Sequence, residues 1–306
     1  MNSFDKTLYS RASLELDPSI IKNLEKINPI KPWIDLSILY VCTFLLVYLS
    51  IRLSYISYFF YPIAIFFIAG RQGAFLQLIH ETSHKLISNN INVNNFLGTW
   101  LTSFVIGVNF FGYKSRHNSH HANTSTLKEP NTDSEKYEIV DFKNPKIYFL
   151  FFKDVIGISA LKTFFNYNSE NSNNNIKSNL YEKFLNIFKI SIVQIIILSL
   201  FNFQIYLYIL FWLYPIIGPH MLLMRIRGIA EHGLGKKIGY NISKTSEGLY
   251  FTRSFLTDMN KYNFLPLVWI EKLLIGSFGV YYHHEHHLNA KKPYYNLKKF
   301  HNLVKN

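Results

Sequence analysis

The amino-acid sequence predicts an all-α integral membrane protein, with four transmembrane helices in two hairpins and a cytosolic helical cap. Two observations support this class. Long apolar runs alternate with lysine-rich segments, and charged residues make up only 17% of the chain, against about 25% in soluble domains. Nearly all lysines and arginines lie outside the apolar runs. By the positive-inside rule, this distribution places both termini and the polar segments in the cytosol.

The first hairpin is predicted at about residues 36–52 and 55–72. Two apolar runs, Leu36–Ile51 and Tyr55–Gly70, contain 16 residues each, slightly fewer than the roughly 17–25 of a spanning helix. Long flanking side chains can extend such a run by reaching toward the headgroups. Arg52 and several tyrosines occupy the short connection, which is typical of a turn at a membrane interface.

The second hairpin is predicted at about residues 185–202 and 204–224. The apolar stretch Ile190–Met224 is interrupted near its middle by Asn202 and Gln204, which indicates a turn between two helices. Because these 35 residues are few for two spans, a single long buried helix is the alternative interpretation.

The polar segments complete the predicted organisation. Residues 1–33 form a cytosolic N-terminal segment, residues 34–301 the membrane domain and residues 302–306 a tail. The cytosolic cap comprises residues 73–183 and 225–301. No secretory signal peptide is expected, because the N-terminal segment lacks an apolar stretch before a small-residue cleavage site. The net charge of +13 is interpreted as a solvated face beside anionic headgroups. No nucleic-acid partner is predicted, since no binding motif accompanies the charge.

Histidines carry the strongest functional signal. Nine of the twelve fall in three five-residue windows, HETSH at 80–84, HNSHH at 117–121 and HHEHH at 283–287. On a helix, positions i, i+3 and i+4 share a face, so each window presents two or three imidazoles together. Imidazole suits zinc, copper, iron and nickel. The histidines at these spacings are too many for one ion and indicate two: His80, His84, His117, His120, His121, His283, His286 and His287.

His232 is a further candidate ligand. It lies seven residues beyond Arg225, while His80 lies nine residues beyond Arg71, which places the two histidines at similar heights, roughly 10 and 14 Å past these arginines. The other two histidines, His220 and His301, are interpreted as a packing residue and a solvated residue.

Three glutamates adjoin these histidines in the sequence: Glu81, Glu231 and Glu285. Neighbours on a helix point about 100° apart, so these carboxylates should not share a metal with the adjacent ring. We expect them instead to accept a ring N–H and to orient a ligand.

Other classes remain open on the residues alone. HETSH matches the HExxH pattern of zinc proteases, in which the glutamate is the general base. A zinc site needs three or four ligands, so an intramembrane protease leaves at least five clustered histidines without a role. A metal carrier without catalysis would place histidines inside the spans, whereas here they follow the predicted helix ends. Cys42 is the single cysteine, which excludes a disulfide framework.

The order of these motifs resembles that of a known family. HETSH, HNSHH, RGIAEHG and YYHHEHHL, followed by PYYNLKKFH, are similar to the motifs of the membrane fatty acid desaturases and hydroxylases, from about residue 60 to 301. The resemblance implies four spans and a cytosolic di-iron centre. It implies these ligands: His80, His84, His117, His120, His121, His232, His283, His286 and His287. His284 is then not a ligand.

The resemblance also decides how residues 96–112 are interpreted. This stretch is apolar enough to span, but one crossing would separate His80 from His117 across the bilayer. We therefore predict a membrane-embedded segment that enters and returns on the cytosolic side, with Gly98 and Gly107 easing its bends. The chain departs from the acyl-CoA branch of the family at Gly228, where that branch has an asparagine. Asn289 and Ala290 replace the aromatic residue and proline that often follow the third box.

The resemblance implies a fatty acid desaturase that uses two iron ions and O2 on an acyl-lipid or acyl-thioester substrate. A lipid or carotenoid hydroxylase or ketolase with the same centre is the alternative. The chain shows neither a dinucleotide fingerprint nor a cysteine set for an iron–sulfur cluster, so a ferredoxin or cytochrome b5 type donor is expected. The bacterial inner membrane or the endoplasmic reticulum is the expected location. The acyl chain is expected to lie in an apolar tunnel formed by the helix ends and the embedded segment. Candidate residues that line this tunnel are Phe75, Trp100, Phe104 and Trp269.

Overall fold

The computed structural model describes residues 16–123, 145–162, 180–237, 254 and 265–305. Within these ranges the regular secondary structure is helical and contains no strand. The helices are α1 Pro18–Leu24, α2 Lys31–Ile56, α3 Phe60–Ser83, α4 Ile91–Gly98, α5 Phe110–Asn123, α6 Pro145–Val155, α7 Leu180–Leu200, α8 Ile205–Tyr208, α9 Tyr214–Ile217, α10 Pro219–Lys237, α11 Leu265–Leu274, α12 His283–Leu288 and α13 Tyr294–Lys305.

Four helical stretches are long and apolar enough to cross a membrane. They are Lys31–Ile56, Phe60–Ser83, Tyr181–Leu200 and Ile205–Glu231. The helical class predicted from the sequence is therefore confirmed for the described residues, and so is the presence of four apolar helices of spanning length. The fourth stretch is built from α8, a π-helical turn, α9 and most of α10, and it is interrupted at Gly218. Pro219 directly follows this interruption. Proline has no backbone N–H, so it cannot donate the hydrogen bond that would continue the preceding helix.

The apolar region 190–224 does not form one long helix. α7 ends at Leu200, and Asn202 and Phe203 adopt positive φ values of 51° and 58° before α8 begins at Ile205. A left-handed backbone conformation cannot continue a right-handed helix. The interruption by Asn202 therefore marks a true helix end.

α3 is the central helix of the fold. It packs against α2, α4, α5, α10 and α11, and nearly every residue from Ile68 to Ser83 is buried. The predicted second span ended at about residue 72, but the helix continues to Ser83 because this segment contains no helix-breaking proline. The extension carries His80 away from the apolar half of the helix on a rigid support.

Residues 91–123 form a bent pair of helices. The stretch Ile91–Ile106 meets Phe110–Ala122 at 101°, and Gly107 at the bend has a φ of 71°, as predicted for a flexible position. Gly98 has a different role from the predicted one. Its backbone is helical, and a Cβ atom there would overlap the Phe110 ring. Gly98 therefore permits close packing and does not produce a bend.

Side chains from two candidate spans stabilise the irregular backbone of this bent pair. A π-helical turn at Thr99–Ser103 and a 3-10 turn at Phe104–Ile106 follow α4. Tyr40 donates its hydroxyl to the Leu101 carbonyl at 2.9 Å. Gln194 donates its amide to the carbonyl of Phe104 at 2.6 Å. Non-helical backbone is tolerated at membrane depth when protein groups satisfy it in this way.

The segment before α2 and the segment after α12 pack on each other. Leu24 lies against Phe300 and Val304 of α13, and its carbonyl accepts a hydrogen bond from Asn296 at 2.8 Å. The Tyr294 hydroxyl donates to Asp35 at the start of α2. These contacts hold α12, which contains the third histidine window, against the end of α3.

Candidate metal centre

Three helices bring the histidine windows together. His80 lies in the last turn of α3 and His84 caps its C-terminus. α5 carries the second window and α12 consists almost entirely of the third. The spacing of the histidines in each window places two or three rings on one helical face, and the packing of the helices turns these faces toward a common point.

The first group contains five histidines, one ring nitrogen of each lying within 4.8 Å of the others. Its members are His80, His84, His117, His121 and His286. His117 Nε2 lies 2.8 Å from His84 Nε2 and 3.0 Å from His121 Nε2. His286 Nε2 lies 3.1 Å from His121 Nε2. These nitrogens therefore converge, although they come from three separate parts of the chain.

The second group contains three buried histidines, His120, His283 and His287, with ring nitrogens within the same 4.8 Å limit. The centroid of the His287 ring lies 5.0 Å from that of His120 and 4.4 Å from that of His283. The same ring stacks on His121 of the first group at 4.3 Å. The two groups are thus direct neighbours.

The nitrogen spacing fits ligation of a metal ion. Metal–imidazole bonds are about 2.1 Å long, so two ligands at right angles have nitrogens about 3.0 Å apart. The three Nε2 separations of 2.8, 3.0 and 3.1 Å match this spacing. His117 Nε2 has two such neighbours but carries either one proton or one lone pair, so a single well-directed hydrogen bond does not account for both contacts.

The environment keeps these rings neutral. Burial, with a smaller contribution from neighbouring histidines, lowers the pKa of His84 to about 4 and that of His121 to about 3. Burial also places the pKa values of His117 and His286 well below the usual range. Neutral imidazole is the form that binds metals. The rings therefore need no deprotonation to act as ligands at neutral pH.

Glu81 orients one ring of the first group. Its Oε1 accepts a hydrogen bond from Nδ1 of His80 at 3.1 Å, and its Oε2 accepts the backbone N–H of Tyr294 at 3.0 Å. With the proton on Nδ1, the Nε2 lone pair of His80 faces the group. This contact between a carboxylate and a ligand-type histidine is the arrangement expected around a metal site.

The other two glutamates lie on different partners. Glu231 accepts a hydrogen bond from Nε of Arg227 at 2.7 Å, and its Oε1 is 3.6 Å from Nδ1 of His283 in the second group. Glu285 accepts hydrogen bonds from Nδ1 of His301 at 2.6 Å and from the hydroxyl of Ser254. Glu285 thereby connects the third window to α13.

Among the histidine side chains that the structure describes, three lie outside both groups: His220, His284 and His301. His284 is buried in α12, and His220 is buried beside Gly73 of α3. His232 lies within α10, one residue beyond Glu231, but its side chain is outside the described residues. His301, interpreted from sequence as solvated, lies against Glu285 and the Tyr282 ring. The spacing of Leu297, Phe300 and Val304 could have indicated that α13 is half buried.

The candidate tunnel residues have different environments. Phe75 and Phe104 are fully buried in the helix core, whereas Trp269 is exposed on α11. A small cavity with room for about one water molecule adjoins both histidine groups. It is lined by Gln77, His80, Glu81, Phe278, Val280, His283, His286 and Leu297. Among the polar side chains of this lining, Gln77 is the one that no sequence motif indicates.

Four helices of spanning length, together with two adjoining groups of buried or half-buried histidines, define a helical membrane protein with candidate metal sites. The comparisons with known proteins agree with this class. The model of the fatty acid desaturase family matches residues 32–306, and the chain belongs to this family.

The chain is also similar to dihydrorhizobitoxine desaturase of Bradyrhizobium elkanii. The two proteins are 24% identical over 258 residues, which cover 80% of this chain and 67% of that protein. No solved structure matches the chain at a significant level. Family membership establishes a desaturase-type oxidoreductase with candidate membrane helices.

Proposed function

We propose that this protein is a membrane-bound, O2-dependent di-iron enzyme that desaturates a lipid acyl chain. The observation that carries the proposal is the pair of adjoining histidine groups at the ends of apolar helices. An unactivated methylene group is beyond the reach of acid, base or nucleophilic side chains, so a cofactor must supply the chemistry. Bound iron would supply the activation of O2, and imidazole ligands suit iron.

The first group would hold one ion with His80, His84, His117, His121 and His286. The second would hold the other with His120, His283 and His287, to which His232 is added by the motif. Glu81 would fix the tautomer of His80 by accepting its Nδ1 proton. Glu231, 3.6 Å from Nδ1 of His283, would favour a proton on that nitrogen electrostatically. Glu285 would act indirectly, by holding α12 in place through His301.

The number of converging histidines favours this proposal over a zinc protease. Three further windowed histidines converge on His80 and His84, and five imidazoles exceed the three or four ligands that one zinc ion uses. Glu81 accepts hydrogen bonds from His80 and Tyr294, which fits a carboxylate that orients a ligand.

Family membership supports an acyl substrate and an electron donor in general terms. The family name and the name of the Bradyrhizobium relative agree on desaturation but give different substrates. We propose an acyl lipid or acyl thioester, with its chain entering from the membrane. A ferredoxin or cytochrome b5 type protein would supply electrons, and the net charge of +13 would attract an acidic donor. The protein would reside in the bacterial inner membrane or the endoplasmic reticulum, with the histidines and both termini cytosolic.

The test is expression in a host whose lipids are known, followed by mass analysis of the acyl chains. Loss of two hydrogens is expected, whereas gain of an oxygen would identify a hydroxylase or ketolase. His120→Ala and His286→Ala should abolish the product, and Lys298→Ala, on the exposed face of α13, should retain it. Unchanged activity in both histidine variants, or a purified active enzyme without iron, would contradict the proposal.

A further inference from the structure

α6 presents a large apolar surface outside the four candidate spans. Phe149 and Phe152 are 58% and 57% exposed, and Ile156, just after the helix, is 44% exposed. At about 100° per residue, these positions lie on one face of the helix. An exposed surface of this kind marks a contact with a membrane or another protein.

The opposite face of α6 is fixed to α10, so the direction of the apolar face is defined. Ile147 and Leu150 are buried, and Asp154 forms a buried ion pair with Arg225 of α10, with an Oδ1 to Nη2 distance of 2.9 Å. Close backbone packing adds to this contact, since a Cβ atom at Gly218 would overlap the carbonyl of Val155. Because the charges are buried as a pair, α6 cannot rotate about its axis without exposing or separating them.

The charges of α6 lie along one edge between these faces. Lys146 and Lys153 are within about 20° of each other around the helix and roughly a quarter-turn from the exposed apolar face. The ammonium group of Lys153 lies 4.5 Å from the centroid of the Phe149 ring. On the opposite edge, Phe151 and Val155 carry no charge. The helix therefore has an apolar outer face, an uncharged edge and a basic edge.

We propose that α6 lies in the plane of the membrane surface, with Phe149 and Phe152 in the acyl region and Lys146 and Lys153 at the level of anionic headgroups. This surface is distinct from the candidate metal centre and does not depend on the proposed reaction. Two observations favour a bilayer over a partner protein. The helix docks on a candidate span at the interruption Gly218, and the edge that would meet headgroups is uniformly positive, as in interfacial helices.

The position of α6 then sets the height of the candidate centre. α6 meets the fourth span at Gly218, and Glu231 lies thirteen residues further along α10, which corresponds to about 20 Å of helix. The contact of α6 with the bilayer would thus hold the end of α10 at a defined distance from the lipid.

The experiment places a nitroxide label on the full-length protein, in which Cys42 is replaced by serine, at Phe152→Cys or Lys153→Cys. These adjacent positions point in different directions and serve as matched controls for each other. The protein is reconstituted in vesicles of phosphatidylcholine and phosphatidylglycerol. Collision rates with O2, which concentrates in lipid, and with a water-soluble nickel chelate are then measured by electron paramagnetic resonance.

At residue 152, the ratio of O2 to nickel collisions should be several-fold higher than at residue 153. Phe149→Cys should repeat the result of 152, which guards against a local effect of one variant. Free access of nickel to residue 152 would show that this face meets water. Low collision rates with both reagents would show that protein covers it. Either outcome overturns the proposal, whether or not the enzyme is a desaturase.

Discussion

Replacing Glu81 with glutamine should weaken metal binding without unfolding the protein. The buried carboxylate accepts hydrogen bonds from Nδ1 of His80 and from the backbone N–H of Tyr294, whereas an amide offers one acceptor oxygen. At least one buried donor is therefore left unsatisfied, at a cost of about 1–3 kcal/mol. Loss of such a partner typically lowers metal affinity by about 10–100-fold, which equals about 1.4–2.8 kcal/mol. The first figure is a cost to folding stability, and the second is the expected loss of metal binding.

The measurement is a titration of metal-free protein with Co2+ or Fe2+ against a competing chelator, so it requires no knowledge of the substrate. Glu182→Gln makes the same chemical change at an exposed position of α7 and should leave the affinity unchanged. Circular dichroism confirms that both variants retain their helices. If Glu81→Gln binds metal as tightly as the parent protein, the carboxylate does not orient a ligand and the role assigned to it is wrong.

His283→Ala should reduce the metal content of the protein by about half, as measured by elemental analysis. The reason is that only two described histidines remain in its group, whereas His84→Ala leaves four in the other group. Equal losses from both variants would contradict separate sites. Gly98→Ala should lower the free energy of unfolding by about 1–3 kcal/mol, because the new Cβ overlaps the Phe110 ring. Thermal unfolding in detergent measures this effect, and an unchanged Tm would contradict the close contact. The metal-free protein should lose stability as the pH falls from about 6.5 toward 4. Burial lowers the pKa of His84 in the folded protein to about 4, so the unfolded chain, with an ordinary pKa of about 6.5, binds a proton first and is stabilised. Unfolding temperatures that stay constant over this pH range would contradict this prediction.

Local patterns in the sequence were enough to predict the helical class, the four apolar spans and the histidines of the two groups. Apolar run length identifies a span, and i, i+4 spacing identifies a shared face, because both depend on residues near one another in the chain. The bend in this segment was predicted from the family resemblance, at Gly98 and Gly107 alike. Gly107 adopts the positive φ that glycine permits, whereas Gly98 is helical.

Contacts between distant residues were not predictable in this way. The role of Gln194 depends on carbonyl groups some ninety residues earlier, at Phe104 and Val105. The partner of Glu285 is His301, which looks like a charged tail residue until α13 is known to pack on α12. Sequence patterns report the face of a helix, but not the element that the face meets.

The position of Tyr294 has a consequence for biosynthesis. Its backbone N–H binds Glu81 and its hydroxyl binds Asp35, so one late residue connects the start of the first span to the end of the second. A nascent chain that still lacks this tyrosine can insert its apolar helices but has not closed the pocket around His80. If iron binds as proposed, the site around His80 would be complete only after α13 has been translated.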